Sequence, residues 1–278
     1  MLPSLVIVFR EVFEAGLIIG IVMAVTSGVA GRGRWVAGGV AAGVLGACII
    51  ALFTGGLSQL FNGNGQEIFD ACILGFAVLM LGWHNVWMAR HGRELAAEMR
   101  AAGEAVAAGS KSLFALAVVV AIAVLREGSE VVLFLYGVAA AEGGASSGML
   151  IGGVIGLALG SLVCLLTYLG LVTIPTRYLF AVTSTLIALL AAGMAAQAIA
   201  FLQQADILTA FDQTVWDTSW LLRDESWLGR ALHTLIGYVD QPTAMQLIAY
   251  AATLFAITVL MKLFALPPTQ RPQQARTA

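Results

Sequence analysis

The feature that most constrains this chain is a series of seven long apolar stretches. A helix that crosses the hydrocarbon core of a bilayer needs about 20 mainly apolar residues. Only 11% of the 278 residues are charged, whereas a typical soluble domain has about 25%. We therefore predict an all-α integral membrane protein with seven transmembrane helices. The predicted spans are 2–28, 35–57, 68–89, 113–141, 147–172, 178–203 and 243–266.

The Lys and Arg residues of the connecting segments predict the orientation. Short connections rich in Lys and Arg stay in the cytoplasm, and alternate connections place ten basic residues on one side and two on the other. The ten are Arg32, Arg34, Arg90, Arg93, Arg100, Lys111, Arg177, Lys262, Arg271 and Arg276, and the two are Arg223 and Arg230. We predict a multi-pass protein of the cytoplasmic (inner) membrane, with its N-terminus outside and its C-terminus in the cytoplasm.

Six charged residues interrupt the first and fourth spans. One charge at the bilayer centre costs roughly 2.5–3.5 kcal/mol, so six uncompensated charges would cost roughly 15–20 kcal/mol, more than the stability of a typical fold. The six form two copies of R-E-x-x-E, which are Arg10-Glu11-Val12-Phe13-Glu14 and Arg126-Glu127-Gly128-Ser129-Glu130. Residues three and four positions apart share a helix face. Each copy therefore presents two carboxylates and one guanidinium group on the same side.

The composition of the two motifs favours a cation site. Four carboxylates and two guanidinium groups give a net charge of −2, which repels anions and suits a hard cation that prefers oxygen ligands. The predicted metal ligands are Glu11, Glu14, Glu127 and Glu130. We hypothesise that Arg10 and Arg126 hold these carboxylates ionised and limit the net charge, so that the ion can also leave. The competing interpretation is that both motifs are buried ion pairs that only lock helices together.

The two motifs also mark an internal repeat. One copy begins spans one to three, and the other begins spans four to six. Because three is odd, the second unit is inverted in the membrane, and inverted repeats with a site near the midplane are common in transporters. The predicted organisation is a single transmembrane domain, 1–266, made of repeat one, 2–89, repeat two, 113–203, an outer segment, 204–242, and a seventh span, 243–266, followed by a cytoplasmic tail, 267–278.

Two segments outside the spans also have helical patterns. Residues 93–107 are rich in Ala, Glu and Arg and predict a short cytoplasmic helix. Residues 218–239 have leucines near helical spacing and several tryptophans, which predicts a helix in the outer interface. The tryptophans as a group fit interface belts; they include Trp83, Trp87, Trp216, Trp220 and Trp227.

At these residues the sequence resembles a known family, the oxidase-dependent (high-affinity ferric) iron permeases, and in particular their bacterial EfeU type. That family is marked by R-E-x-x-E in its first and fourth spans. The stretches VWDTSWLL at 215–222 and DESWLG at 224–229 look like the bacterial branch, as does Trp83-His84 near Arg93-Glu94-Leu95. The resemblance covers nearly the whole chain, and two motif copies in the expected spans are a specific signal.

The resemblance implies uptake of ferric iron, with the motif glutamates as ligands along its path. It also implies a separate extracytoplasmic protein that oxidises or delivers iron, which is a multicopper oxidase in fungi, or an iron-binding protein and a haem peroxidase in the bacterial periplasm. The chain has no copper- or haem-binding motif, so we expect no tightly bound cofactor and treat iron as substrate. Membrane lipid is the other expected partner, and the net charge of −2 gives no indication of nucleic-acid binding.

Other polar residues are weaker candidates. The acids that could meet an incoming cation are Glu67, Asp70, Asp217, Asp224 and Glu225. Glu67 and Asp70 begin the third span, where a helix N-terminus also favours acids. The acids of the outer segment either raise the local cation concentration or are ordinary solvated charges. His84 is the only histidine within a predicted span, and we interpret it as a core or interfacial residue.

Three other functions stay open from the sequence. The same carboxylates suit Fe2+, Pb2+ or Mn2+, or a proton-coupled carrier. An intramembrane protease would use Ser129 with His84, but no nucleophile-elbow or HExxH pattern is present. A haem-binding electron carrier usually needs paired histidines within spans, and this sequence has only one there.

Overall fold

The computed structural model describes residues 1–58, 66–141, 144–170, 176–224 and 226–264. Within these ranges it contains eight α-helices and no strand beyond an isolated bridge between Thr214 and Thr243. The helices are α1 (Leu2–Val25), α2 (Arg32–Ser58), α3 (Gln66–Ala107), α4 (Leu113–Ala141), α5 (Ser147–Tyr168), α6 (Thr176–Gln204), α7 (Trp227–Ile236) and α8 (Ala244–Phe264). The predicted tail, 267–278, and Glu225 lie outside the described residues.

Five of the described helices are long and apolar enough to cross a membrane by length and composition. The qualifying stretches are Arg32–Phe53, Glu67–Met88, Ser147–Tyr168, Ala181–Gln204 and Ala244–Phe264. The two motif helices, α1 and α4, have 24 and 29 residues, but each carries three charged residues in its middle turns. Each of the seven predicted spans overlaps one of these helices, and residues 171–172 and 265–266 of those spans lie outside the described part of the chain.

Residues 93–107 are helical, as predicted, but they form the end of a long helix and not a short helix of their own. α3 runs without a break over 42 residues, from Gln66 to Ala107. Its second half is rich in Ala, Glu, Arg and Met, which are strong helix formers, and it has no proline to stop the helix. The chain turns away only after Ala107, where Gly109 adopts a left-handed φ of 73°.

The outer segment is mostly turns, so the predicted helix at 218–239 is too long. Only Trp227–Ile236 is helical, and Gly237 ends this helix with a left-handed φ of 70°. The turns before it are tied to the start of α8; for example, Thr218 N donates a hydrogen bond to Asp240 O at 2.9 Å. α7 packs on α6 and on α1.

The helices pack in pairs around the motif helices. α1 packs along α5, α2 along α4, and α3 along α6, and α8 covers α6 and α3. Ile7, which precedes the first motif, shares an apolar cluster with Phe134, which follows the second. Val22, which follows the first motif, shares another cluster with Val120, which precedes the second. α1 and α4 therefore run in opposite directions and bring the motifs to the same level.

Two apolar layers enclose that level. The first apolar layer consists of Ile7, Leu74, Ala77, Leu81, Phe134, Val138, Ile187, Ala188, Leu190, Ala191, Met194, Ala198 and Ile257. The second apolar layer consists of Val22, Val36, Val106, Leu116, Val120 and Val124. Their side chains are buried, and the two layers flank the charged motifs on opposite sides along α1 and α4.

Glycines allow two of the helix pairs to approach closely. Gly152, Gly156 and Gly160 of α5 lie against α1, and a Cβ at Gly156 would lie 2.6 Å from Leu5 O of α1. Gly43 gives α2 a similarly close contact with α4, because a Cβ at Gly43 would lie 2.7 Å from Val124 Cβ. Small residues give helices close contact where no hydrophobic driving force acts between them.

We expect Gly156→Ala to destabilise the protein by about 1–3 kcal/mol, because the added methyl group pushes α5 away from the α1 backbone. Gly153→Ala is the matched control, since a Cβ there meets nothing closer than Val8 Cγ2 at 3.9 Å. Thermal unfolding of both variants in the same detergent measures the difference. Equal melting temperatures would contradict the close α1–α5 contact.

Candidate metal site

The first motif is buried inside the bundle. Arg10, Glu11 and Glu14 expose only 1%, 1% and 3% of their surface. Arg10 Nε lies 2.9 Å from Glu14 Oε1, and Nη1 lies 3.5 Å from Glu11 Oε1. These distances are those of ion pairs. The angles do not fit hydrogen bonds, since neither the Arg10 nitrogens nor the two carboxylate oxygens have a hydrogen-bond partner within the described structure. One guanidinium group therefore serves two carboxylates, as the i,i+4 spacing predicts.

The second motif has the same pairing but is more open. Arg126 Nε donates a hydrogen bond to Glu130 Oε1 at 3.3 Å and lies 3.9 Å from Glu127 Oε1. The Arg126 side chain is 33% exposed, and its guanidinium carbon lies 4.0 Å from the centroid of the Trp87 ring. Trp87, which we interpreted as part of an interface belt, therefore makes a cation–π contact with a motif arginine. The two arginines differ in their environment although their sequences match.

His84 of α3 links the two motifs. Its side chain is 4% exposed, Nδ1 contacts Glu130 Oε2, and Nε2 lies 3.9 Å from Glu14 Oε2. The ring also packs edge-on against Phe134, with centroids 6.0 Å apart. Our interpretation of His84 as a core or interfacial residue missed this position. An ionisable residue within an apolar span usually faces the functional interior, and this rule was the signal that marked His84.

The structure brings all four motif glutamates together. Two groups of side chains have potential ligand atoms within 4.8 Å of one another, Glu11 with Glu14 and His84, and Glu11 with Glu127 and Glu130. Glu11 belongs to both. Two ligands of one metal ion at about 2.1 Å are at most about 4.2 Å apart, so small side-chain movements would let either group hold a cation. Ligation itself remains a prediction for these residues.

The charges of this cluster are only partly balanced. Glu11 Oε2 and Glu127 Oε2 have no ion-pair or hydrogen-bond partner within the described residues, although both side chains are buried. A buried oxygen that is left without a partner costs at least about 1–3 kcal/mol. A bound cation between these oxygens would remove that cost, whereas an anion would increase it.

An apolar cavity of about 420 Å³ lies between α1, α2, α4 and α5 and reaches Glu11 and Glu127. The side chains around it are otherwise apolar; they include Val8, Val44, Val124, Val131 and Leu157. Besides the two glutamates, this cavity offers a cation only the sulfur atoms of Cys48 and Met149, which are soft ligands. It is therefore a poor route for an ion in comparison with the His84 side of the cluster.

The weaker acidic candidates lie apart from the cluster. Neither potential ligand group includes Glu67, Asp70, Asp217 or Asp224. Hydrogen bonds donated by Ser219, and one by Gln241 Nε2 at 3.0 Å, hold the pKa of Asp217 below its usual value.

Asp224 is part of the structure of the outer segment. Burial raises the pKa of Asp224, and its Oδ1 accepts a hydrogen bond from Asp240 N at 3.2 Å. Asp224 N in turn donates to Asp240 Oδ2 at 3.4 Å. These contacts stabilise the turns that lead to α8, so the observed partners of Asp224 are structural ones.

The protease hypothesis has no support in the site. Ser129 Oγ donates a hydrogen bond to Arg126 O at 2.7 Å, and the two ring nitrogens of His84 face carboxylates instead. A serine nucleophile needs an adjacent base, and the described structure pairs Ser129 with a backbone carbonyl.

A set of apolar membrane-length helices around a buried cluster of glutamates, arginines and a histidine defines a multi-pass membrane protein rather than a soluble enzyme. Residues 1–268 match the Iron permease FTR1 family. The chain belongs to this family, which confirms the resemblance seen in its motifs, and as a member of a permease family it is a transporter.

Relatives cover almost the whole chain. A protein of Yersinia pestis named "Ferrous iron permease EfeU" is 32% identical over 273 residues, which are 96% of this chain and 94% of the relative. Proteins of the same name from Shigella sonnei and Escherichia coli O157:H7 are 30% identical over 283 residues, with both chains covered completely. No solved structure matches the chain.

Proposed function

We propose that this chain carries iron across the cytoplasmic membrane, and that its four motif glutamates bind the cation in passage. The observation that carries the proposal is the convergence of both motifs on one buried cluster between two apolar layers. A cluster with net charge −2 has no evident structural need for its two excess carboxylates. In a family of iron permeases, a cation in transit is the natural occupant.

The proposal includes seven spans arranged as two inverted repeats and a seventh helix. The antiparallel course of α1 and α4 supports the inversion. The helix pairs support it too. When the two repeats are exchanged, α1 takes the place of α4 and α2 takes the place of α5, so the α1–α5 pair becomes the α4–α2 pair. The close-packed glycines of α2 and α5 occupy corresponding places in the two pairs. The charged helices α1 and α4 are then spans whose polar groups face the bundle interior.

Labelling of single cysteines tests the orientation. After the three native cysteines have been replaced by alanine, Ser110→Cys should react only with reagents that reach the cytoplasm, and Ala145→Cys only with impermeant reagents added outside. The two residues are exposed and flank α4, and the connection containing Ser110 also contains Arg100 and Lys111. Labelling of both from the same side would contradict the proposed topology.

A route from the cluster toward the cytoplasm is also part of the proposal. A cavity of about 290 Å³ follows α1 beyond the first motif and is lined by Gly16, Gly20, Arg100, Thr167 and Tyr168, among others. It lies at the predicted cytoplasmic end of α1. The buried second apolar layer lies on the same side of the motifs, so the proposal requires that the helices forming it move during transport.

Two oxidation states of iron are candidates for the cargo. The resemblance implies ferric iron, which would be delivered by a separate extracytoplasmic oxidising partner. The relatives are named ferrous iron permeases, and the charge of the cluster favours the same ion. With neutral His84, Fe2+ would cancel the net charge of −2, whereas Fe3+ would leave a buried charge of +1, which is costly in a membrane.

Radiolabelled iron uptake in cells that lack other iron importers tests the proposal. Cells with this chain should accumulate iron well above cells with an empty vector. Iron uptake should exceed uptake of Mn2+ or Pb2+ when these metals compete at equal concentration. Preference for another metal would show that iron is not the cargo and would leave the glutamate cluster as the site. Absence of any metal uptake would overturn the proposal.

An impermeant chelator specific for Fe2+ separates the two oxidation states. If ferrous iron is the cargo, the chelator should abolish uptake when ascorbate is present. If ferric iron is the cargo, uptake from ferric citrate should continue in the presence of the chelator and should depend on the oxidising partner.

A further inference from the structure

The ring nitrogens of His84 are the only metal-binding nitrogen atoms within the described charged cluster, and they face carboxylates from both motifs. His84 is 96% buried, with Nδ1 in contact with Glu130 and Nε2 toward Glu14. Nε2 has no hydrogen-bond partner among the described residues. His84 lies within 4.8 Å of potential ligand atoms of both Glu11 and Glu14.

The contacts of the two ring nitrogens differ. The Nδ1–H group can donate to Glu130, which leaves the Nε2 lone pair free on the side of Glu14. A metal-binding histidine usually has this arrangement, in which a carboxylate holds one ring nitrogen and the other binds the metal. We propose that His84 Nε2 is a ligand of the transported iron together with Glu11 and Glu14. The inference rests on the proposed function, because it assigns a further ligand to the same site.

The surroundings of His84 fix the imidazole in place. Phe134 packs against the ring, and the neighbouring Asn85 donates a hydrogen bond from Nδ2 to Ser184 O of α6 at 3.0 Å. α3 is thereby held against α6 at the level of the motifs. A ligand on a helix that is fixed in this way needs little rearrangement to bind. Glu11, which belongs to both ligand groups, would then pass the ion to Glu127 and Glu130.

A nitrogen ligand gives the site a selectivity that carboxylates alone do not provide. Imidazole suits iron and other later transition metals, whereas purely oxygen sites suit Mg2+, Ca2+ and Mn2+. We therefore expect His84→Gln to lower the apparent affinity for iron by about tenfold or more, with a smaller change for Mn2+. A residue that only supports the fold would lower the transport of both metals equally.

X-ray absorption of the purified full-length protein in lipid nanodiscs tests the ligand directly. Iron is added as ferrous ion under argon and, separately, as ferric citrate, and the form that binds is examined at the iron K-edge. Wild type should show the multiple-scattering pattern of one imidazole, and His84→Gln should lose it. His233→Gln is the matched control, because His233 lies in α7 and its Nδ1 is within 2.7 Å of Tyr238 O; this variant should keep the pattern.

The outcomes separate this inference from the proposed function. Iron that binds to wild type with oxygen ligands alone, and that is lost in Glu14→Gln, would overturn the role of His84 and keep the glutamate site. Iron binding that is the same in wild type and Glu14→Gln would overturn both. An imidazole signal that survives in His84→Gln would assign the ligand to another histidine and would also overturn the inference.

Discussion

Replacement of Glu14 or Glu127 by alanine is expected to reduce radiolabelled iron uptake to the level of cells without the protein, a loss of about 100-fold or more. The two residues come from different motifs, and both are buried. Loss of a group that only orients a metal ligand already costs about 10–100-fold in affinity or activity, and these carboxylates are proposed to bind the ion themselves. Uptake is measured at matched membrane expression.

The control for this prediction is Glu98→Ala. Glu98 is an exposed glutamate on the same protein, in the second half of α3, so it undergoes the same chemical change outside the cluster. Its uptake should stay near the wild-type rate. If Glu14→Ala and Glu127→Ala also transported iron at that rate, the motifs would be structural ion pairs that only lock helices together.

The second large effect is expected from Arg10→Leu. Arg10 is 1% exposed and is paired with both Glu11 and Glu14. Its removal leaves two buried carboxylates without their cation, a change that typically destabilises a protein by about 3–5 kcal/mol. Arg126→Leu should have a clearly smaller effect, because the Arg126 side chain is 33% exposed and its partner Glu130 keeps its contact with His84. Thermal unfolding and iron uptake measure both variants.

Three further variants complete this experiment. Arg100→Leu removes an exposed arginine of α3 and should be nearly neutral for stability. Arg10→Lys keeps the charge but not the planar fork of donors, so it should recover part of the stability lost in Arg10→Leu. Intact uptake in the double variant Arg10→Leu with Arg126→Leu would contradict the hypothesis that the arginines balance the site.

The helices and the ligand candidates could be predicted from the sequence. Apolar stretches of membrane length identify helices because a bilayer leaves few alternatives to them, and α4 begins and ends at the predicted residues 113 and 141. The two R-E-x-x-E copies point to one site because buried charges need compensation. Their spacing along each helix also predicts the ion pair between Arg10 and Glu14, which the structure contains.

Other features depend on tertiary packing and could not be predicted. The length of α3 is an exception, since local helix propensity predicts its continuation to Ala107, whereas hydropathy marks only its apolar half. The position of His84 depends on how α3 rotates against α1 and α4. Arg10 is buried, whereas Arg126 is 33% exposed. This difference arises from neighbouring residues such as Trp87, so the shared R-E-x-x-E pattern cannot predict it.

The central claim is that iron crosses the membrane through the glutamate cluster of this chain, and transport by the purified protein tests it most directly. The protein is reconstituted into liposomes that contain an iron-quenched fluorophore, and iron is added outside in the form identified from the cell uptake. Wild type should quench the dye rapidly, whereas the double variant Glu14→Ala with Glu127→Ala should match protein-free liposomes. Equal quenching by wild type and the double variant would contradict the claim.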